Sequence, residues 1–389
     1  MDTIATGTPD QAGFDKQRLA LIRQRAASWV DGEHTRAMVL LAARNGVVAF
    51  HEAWGTRTPG DDAELITTNS LFHTGSISKL ITATAVMMLA ERGLLGINRP
   101  VSDYIPELKA GDNILIRHLL THTSGYADEI IGEAFQVHVD DKFKNLVLPP
   151  QEETDHNEMR LNLHAKNVET LAFEPGKRMD YCTYNYDLLA ELVRRASGRC
   201  FKDYVEQEIL GPLGMHNSRM GITEEELDLV VLRGEGQAFE LFEKPWGLGP
   251  WGGYGLRASA QDIAILAQTF LNGGTYNKFR LLSPATVAQM TTNQIPGVGT
   301  EFDGWHDEAS WAFGWRVLDA DRWKGFDGVL RSKGSYDHGG VGGNMVWVDP
   351  ARNLVGVYLS AYLDCEEDSD VQMFGEIDLY QDMITAACY

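Results

Sequence analysis

Strand-forming patterns stand at both ends of this 389-residue chain, and they limit its fold more than any other feature. Residues 37–53 contain two β-prone runs separated by Asn45-Gly46, the dipeptide that most strongly favours a two-residue hairpin turn. Near the other end, the apolar runs at residues 344–348 and 354–358 flank a segment of turn-forming composition. Together the two pairs predict one antiparallel sheet that is built from both ends of the chain.

The middle of the chain has helical patterning instead. Apolar residues recur at helical spacing in three segments, and a glycine suited to ending a helix follows each: residues 77–92, 186–196 and 260–271, with Gly93, Gly198 and Gly273. The sequence therefore predicts an α/β (α+β) fold, an antiparallel sheet flanked by helices with an inserted helical domain. We expect residues 1–80 and 255–389 to form the sheet domain and residues 81–254 the helical domain, with the functional site between them. The polar segment 127–170 is predicted to be a lid or a surface insertion.

The segment Gly75-Ser76-Ile77-Ser78-Lys79 opens the first of these helices and carries the most chemical information. Ser76 and Lys79 are three residues apart, so they lie on one face of a helix. The helix is apolar almost all round, which predicts burial in the middle of the protein. A lysine desolvated at a buried helix start has a lowered pKa and can activate a serine hydroxyl. We therefore expect Ser76 to be a catalytic nucleophile, although a surface Ser/Lys pair can have the same spacing.

Three other catalytic or binding motifs are disfavoured, because each is absent or lacks a residue or strand that its chemistry needs. The chain has no Gly-x-Ser-x-Gly elbow, which disfavours the α/β-hydrolase fold. His118 and His122 have the spacing of a zinc-protease pair but lack the glutamate that would act as base, so no metal site is expected. The glycines at 247, 249 and 252 match a dinucleotide fingerprint in spacing only, since no strand pattern precedes them, and no cofactor is expected.

Charge and composition limit the classes of molecule that the protein is expected to bind. The formal net charge is −21, which disfavours nucleic acids and anionic membranes because both are bound largely through Lys and Arg. The first residues lack a signal-peptide pattern, and no apolar run approaches the ~18 residues of a membrane span. The four cysteines, at 182, 200, 365 and 388, are too scattered for a disulfide framework. We expect a cytoplasmic protein that acts on a small molecule.

Several further segments, taken with Ser76 and Lys79, resemble the superfamily of class C β-lactamases, D-alanyl-D-peptidases and family VIII carboxylesterases. They occur in family order and span roughly residues 40–362. The matching segments are Leu119-Leu120-Thr121-His122-Thr123-Ser124-Gly125-Tyr126, residues 173–189 around Tyr181, Gly211-Pro212-Leu213-Gly214-Met215, residues 255–262 and Asp337-His338-Gly339-Gly340-Val341-Gly342-Gly343. The resemblance implies a β-lactamase/transpeptidase-like fold and the activity of a serine hydrolase that resembles the penicillin-binding proteins.

The same resemblance implies roles for individual residues. Tyr181 is expected to face Ser76 and Lys79, and whether Lys79 or Tyr181 is the base in acylation stays open. The backbone N–H groups of Ser76 and Val341 are expected to form the oxyanion hole. The residues expected to contact substrate are Thr183, His338, Gly339, Gly340, Tyr126 and Trp251. Trp251, together with Trp246, is expected to wall an apolar acyl pocket, whereas the other tryptophans and His122 are interpreted as structural.

Two departures from the family pattern bear on the substrate. The family's Tyr-x-Asn is here Tyr181-Cys182-Thr183, and the strand motif beginning at His338 lacks the lysine that would meet a substrate carboxylate. Both changes favour a carboxylesterase acting on small to medium neutral esters. An amide-cleaving relative (a D-stereospecific amidase or peptidase, or a promiscuous β-lactamase) and an acyltransferase remain alternatives, because the same acyl-enzyme serves all of them. A non-catalytic relative has no reason to keep Ser76, Lys79 and Tyr181 together.

Overall fold

The structure is a computed structural model, and it describes residues 3–32, 35–60, 63–108, 110–128, 170–234, 243–301, 306–318, 327–362 and 376–389. Most of the segment predicted as a lid or insertion therefore lies outside the described residues.

The strands are β1 (Ala5–Thr6), β2 (Thr35–Arg44), β3 (Val47–Gly55), β4 (Leu71–His73), β5 (Ser218–Met220), β6 (Val230–Val231), β7 (Leu256–Ala258), β8 (Thr275–Tyr276), β9 (Phe279–Arg280), β10 (Arg316–Val317), β11 (Tyr336–Gly340), β12 (Asn344–Asp349) and β13 (Leu354–Tyr362). The α-helices are α1 (Pro9–Ala12), α2 (Lys16–Asp31), α3 (Ser78–Glu91), α4 (Ile116–Leu120), α5 (Tyr184–Ser197), α6 (Phe201–Val205), α7 (Gly211–Leu213), α8 (Ala260–Leu271), α9 (Pro284–Met290) and α10 (Ile377–Ala386).

The main sheet joins the two ends of the chain, as the sequence predicts. Its strand order is β1-β3-β2-β13-β12-β11-β10. β2 and β3 form the predicted hairpin, and Asn45 and Gly46 in its turn have φ angles of 54° and 73°, the left-handed values that this tight turn needs. β13 pairs antiparallel with β2, from Leu354 opposite Arg44 onwards. The two-residue β1 departs from the predicted antiparallel arrangement, because it pairs parallel with β3.

Alternate residues of a strand point to opposite faces, and both faces of this sheet are covered. Val39 and Leu41 of β2 belong to the principal core, which also contains residues of α3, α5 and α8. Met38 and Leu40 belong to a second core together with residues of α2 and α10. The result is a sheet flanked by helices, the predicted fold class.

The three predicted helices are present as α3, α5 and α8. The glycines after them, Gly93, Gly198 and Gly273, have φ angles of 73°, 71° and 70°, the left-handed conformation with which helices commonly end. Every residue of α3 from Ser78 to Leu89 is buried, as its apolar pattern predicts. None of the helices in the described part of the chain is long and apolar enough to cross a membrane.

A smaller sheet with strand order β5-β7-β4-β6 is not predicted by the sequence. Its strands have two or three residues each, too few for an alternating pattern to be recognised. β4 and β7, both expected in the sheet domain, pair here with each other and not with the main sheet. The proposed division of the chain at residues 80 and 255 stays a prediction.

Candidate active site

Ser76 lies in a single 3-10 turn between β4 and α3, two residues before the α-helix begins. Gly75 has a φ of 55°, a conformation that glycine adopts without steric cost. The turn is anchored to β7 on both sides of Ser76. Thr74 donates to the carbonyl of Leu256 through N–H and Oγ1, at 3.2 and 3.0 Å. Ser78 Oγ donates to the carbonyl of Gly75 at 2.7 Å and accepts the N–H of Leu256 at 2.9 Å, so the hydroxyls of Thr74 and Ser78 help to fix the position of Ser76.

Lys79 is fully buried on α3, one turn after Ser76. Its Nζ donates to Ser76 Oγ at 2.8 Å and to the carbonyl oxygen of Gly253 at 3.0 Å. Thr183 Oγ1 lies 3.5 Å from the same nitrogen. The amine is therefore held directly beside the serine hydroxyl, at a distance across which a proton can pass.

Tyr181 completes this group, because its side chain is hydrogen-bonded to Ser76. Lys79 Nζ also lies 4.9 Å from the centre of the Tyr181 ring. Burial raises the pKa of Tyr181 well above its ordinary value, and the hydrogen bond to Ser76 opposes that rise only in part. The phenol is consequently protonated at neutral pH. The structure brings together the three residues that the sequence predicts to be catalytic.

His122 packs against the Tyr181 ring. The two rings stack with centroids 4.2 Å apart, and His122 Nδ1 accepts the N–H of Cys182 at 3.1 Å. Burial, with a smaller effect from the charge of Lys79, holds the pKa of His122 well below its ordinary value, so the ring is neutral. A histidine that the sequence marks only as structural therefore contacts a predicted catalytic side chain.

His338 also lies near Tyr181, with its ring centroid 6.4 Å from that of the tyrosine. His338 Nδ1 is 2.7 Å from the carbonyl oxygen of Gly339, and because a carbonyl only accepts, Nδ1 carries the proton. Burial, followed by the charge of Lys79, lowers the pKa of His338 to about 3. Trp311 stands edge-on to both His338 and Tyr181, with centroid distances of 5.7 and 5.8 Å. No sequence signal distinguishes Trp311 from the other tryptophans.

The end of β11 lies directly against the Ser76 turn. A Cβ atom on Gly340 would stand 2.1 Å from the carbonyl oxygen of Thr74 and 3.3 Å from the nitrogen of Ser76. A Cβ atom on Gly75 would stand 2.8 Å from the nitrogen of Val341. Only glycine fits at Gly340, and the approach brings the backbone nitrogen of Val341 beside the Ser76 turn. That the N–H groups of Ser76 and Val341 form an oxyanion hole stays a prediction.

The remaining predicted substrate contacts divide into two groups. Thr183 lies beside Lys79, as described above. Tyr126 and Trp251 are 1% and 0% exposed, and their rings pack against Tyr184 at 5.4 Å and Tyr254 at 6.3 Å. Their contact with substrate stays a prediction, and the side chain of Trp246 lies outside the described residues.

Asp128 is a site residue that the sequence does not reveal. Its carboxylate oxygens accept the N–H of Thr183 at 2.8 and 3.0 Å, so it ties the loop after α4 to the segment that carries Tyr181. Its negative charge adds to the rise in the pKa of Tyr181. Asp128 stands at the start of a polar, acidic segment, where no pattern separates one carboxylate from the next. Within the described ranges, no group of three or more His, Cys, Asp or Glu side chains is placed to hold a metal ion.

Comparison with known proteins bears on the family and the fold of this chain. The family profile described as Beta-lactamase matches residues 20–371. A protein of Salmonella agona strain SL483, named "Putative D-alanyl-D-alanine carboxypeptidase", is 26% identical over 92% of this chain and 85% of its own length. The solved structure "EstCE1, a hydrolase with promiscuous acyltransferase activity" has a TM-score of 0.71 at 22% identity, covering 93% of this chain and 99% of its own. A class C beta-lactamase solved in complex with cefoxitin has a TM-score of 0.67 at 17% identity, covering 95% and 98%. These two structures show a common fold.

Proposed function

The chain belongs to the beta-lactamase family of serine hydrolases, and on that premise we propose that it is a carboxylesterase acting through an acyl-enzyme on Ser76. Its substrates are small to medium neutral esters. The observation that carries the proposal is the contact of Ser76 with both Lys79, at 2.8 Å, and Tyr181. This arrangement supplies a nucleophile, a base and an acid within one hydrogen-bonded group.

In acylation, Ser76 Oγ attacks the ester carbonyl carbon while its proton passes to Lys79, which acts as the base in its deprotonated form. The alkoxide that leaves takes the phenol proton of Tyr181, and the resulting phenolate is reprotonated by the ammonium group of Lys79. An alcohol and an acyl-serine result, with both side chains back in their starting protonation states. We assign the acid role to Tyr181 because its raised pKa favours the protonated phenol.

The negative charge that develops on the carbonyl oxygen is stabilised by the N–H groups of Ser76 and Val341. The close approach of β11 to the Ser76 turn supports this assignment. Preorganised donors of this kind contribute about 3–4 kcal/mol each to transition-state stabilisation. In deacylation a water molecule replaces the alcohol, the same groups accept and return its proton, and the acid product leaves.

Preference for esters without a carboxylate rests on the charges around the site. His338 opens a strand motif that lacks the lysine of the family's Lys-Thr-Gly form, and it is neutral because burial, followed by the charge of Lys79, lowers its pKa to about 3. Asp128 adds a negative charge beside Thr183. A substrate carboxylate would therefore gain no cationic partner from His338 or Asp128 when it loses its solvation, which costs free energy.

The test compares purified enzyme on p-nitrophenyl butyrate, on nitrocefin and on a D-alanine p-nitroanilide. We expect kcat/KM on the ester to exceed the other two values by at least about 100-fold, with no turnover by Ser76→Ala. A rate on nitrocefin or on the anilide that equals or exceeds the rate on the ester would make amide cleavage the function. Amide cleavage is the second candidate because the Salmonella relative is named as a carboxypeptidase.

A further inference from the structure

One buried asparagine bonds to Val341, a donor of the proposed oxyanion hole, and to the end of the strand that precedes Ser76. Asn344, the first residue of β12, is 0% exposed. Its Nδ2 donates to the carbonyl oxygen of His73 at 3.0 Å and to that of Val341 at 3.3 Å. Its Oδ1 accepts the N–H of Ser360 at 3.3 Å. A single amide thus connects the end of β4, the turn between β11 and β12, and β13.

This connection matters because the two proposed N–H donors come from distant parts of the chain. Ser76 follows β4, whereas Val341 follows β11, and their separation depends on how the two segments are held together. Asn344 bonds to the carbonyl of Val341, the residue whose own N–H is the donor. It also bonds to the carbonyl of His73, three residues before Ser76.

The same turn is fixed on its other side by buried polar groups. Arg233 Nη2 donates to the carbonyl oxygens of Gly342 and Ser360, both at 3.0 Å. Ser360 Oγ donates to the carbonyl oxygen of Gly343 at 2.7 Å. Gly342 and Gly343 have φ angles of 91° and 79°, so the turn depends on two glycines and holds one compact shape. Asn344 adds the link from this compact turn to β4.

We propose that Asn344 is a positioning residue that sets the distance between the N–H groups of Ser76 and Val341. An amide suits this position because it offers two N–H donors to two carbonyls and an oxygen to a backbone N–H. A side chain without these donors leaves the carbonyls of His73 and Val341 without this buried partner, and the compact turn can then shift as a unit relative to β4. The inference rests on the proposed function for the identity of the hole, and it applies to any acyl or phosphonyl transfer to Ser76.

The test measures the inactivation rate of Asn344→Ala and Asn344→Ser by an alkyl fluorophosphonate. In this reaction Ser76 Oγ bonds to phosphorus and its proton passes to Lys79, the P–F bond breaks and fluoride leaves, and the phosphoryl oxygen occupies the oxyanion hole. We expect the maximal inactivation rate constant of Asn344→Ala to fall about tenfold or more, with the concentration for half-maximal rate unchanged, because misplaced donors weaken only the transition state. Asn344→Ser keeps one hydroxyl donor and should lose less. A rate constant does not depend on the folded fraction, so modest destabilisation does not obscure the result.

Val348→Ala is the matched control, since Val348 is a fully buried residue of the same strand that belongs to the principal core. We expect it to be inactivated at the wild-type rate constant within about twofold. The inference is overturned if both Asn344 variants keep the wild-type rate constant, if only the half-maximal concentration changes, or if Val348→Ala loses as much as Asn344→Ala. The probe needs no ester substrate. Labelling of Ser76 without ester hydrolysis would therefore overturn the proposed function and still test Asn344.

Discussion

At the scale of single residues, the site consists of a few side chains that are hydrogen-bonded to one another, so that protons can pass between them. Ser76 and Lys79 are recognisable in the sequence because their spacing and the apolar helix after them are local features. The family resemblance adds Tyr181. The stacking of His122 on Tyr181 and the edge-on contacts of Trp311 cannot be predicted, because they depend on how segments far apart in sequence pack together.

The first prediction concerns the shared proton network of Lys79 and Tyr181. Lys79→Ala and Tyr181→Phe should each lower kcat by about 1,000-fold or more, because each removes one group through which the proton passes. The double variant should be little slower than the slower single variant. The measurement is kcat on p-nitrophenyl butyrate for the four proteins. Losses that multiply would show that the two residues act independently.

The second prediction concerns residues that set the substrate. Thr183→Asn and His338→Lys should raise the ratio of kcat/KM on nitrocefin to that on p-nitrophenyl butyrate by about tenfold or more, because the asparagine offers an amide to the side chain of a β-lactam and the lysine offers a charge to its carboxylate. His338→Gln is the control for the second change, since it alters the side chain without adding charge. A ratio that stays at the wild-type value in Thr183→Asn and His338→Lys would mean that neither position governs selectivity.

At the scale of elements, the glycine at the end of β11 decides how close a strand can come to the Ser76 turn. The two hairpins and the helices α3, α5 and α8 are predictable from the sequence, because alternation, Asn-Gly turns and terminal glycines are local signals, whereas α2 and α10 are not among the predicted helices. The pairing of β4 with β7 and the contact of β11 with the Ser76 turn are not, because two- and three-residue strands carry no period and a tertiary contact leaves no local pattern.

The third prediction uses this contact. In Gly340→Ala the new Cβ would stand 2.1 Å from the carbonyl oxygen of Thr74, so β11 must move away from Ser76 and kcat should fall by about 100-fold or more. Gly356→Ala is the matched control on β13, because its Cβ would stand 2.0 Å from the Trp347 ring in the second core. Gly356→Ala should lower the melting temperature. Its kcat, normalised to the amount of Ser76 that a fluorophosphonate labels, should stay near the wild-type value. Equal losses of kcat in the two variants would contradict the account.

At the scale of the whole molecule, three fully or almost fully buried histidines link stability to pH. Burial is the largest cause that lowers the pKa of His73, His122 and His338, in the last case to about 3. Below about pH 6.5 the unfolded chain therefore binds protons that the folded protein does not, and the free energy of unfolding falls as the pH falls. The free energy of unfolding falls by up to about 1.4 kcal/mol per pH unit for each histidine. Asp262, whose pKa burial raises to about 6, acts in the opposite direction.

The fourth prediction isolates one of these histidines. Between pH 6 and pH 4.5, His338→Gln should reduce the slope of the unfolding free energy against pH by about 1.4 kcal/mol per pH unit, the contribution of one bound proton. Val346→Ala, the cross-strand neighbour of His338, should lower stability without changing the slope, because it removes no titrating group. Urea unfolding at a series of pH values supplies both slopes. An unchanged slope in His338→Gln would show that this histidine is not held neutral in the folded protein.

The most direct test of the central claim is the mass of the peptide that carries Ser76 after rapid acid quenching of enzyme turning over p-nitrophenyl butyrate. The account predicts a butyryl group on Ser76 in the wild-type protein, which appears within the first turnover and persists in the steady state if deacylation is the slower step. Tyr181→Phe should slow its formation, and Ser76→Ala should carry no acyl group anywhere. An acyl group on a different residue, or full turnover by Ser76→Ala, would contradict the account.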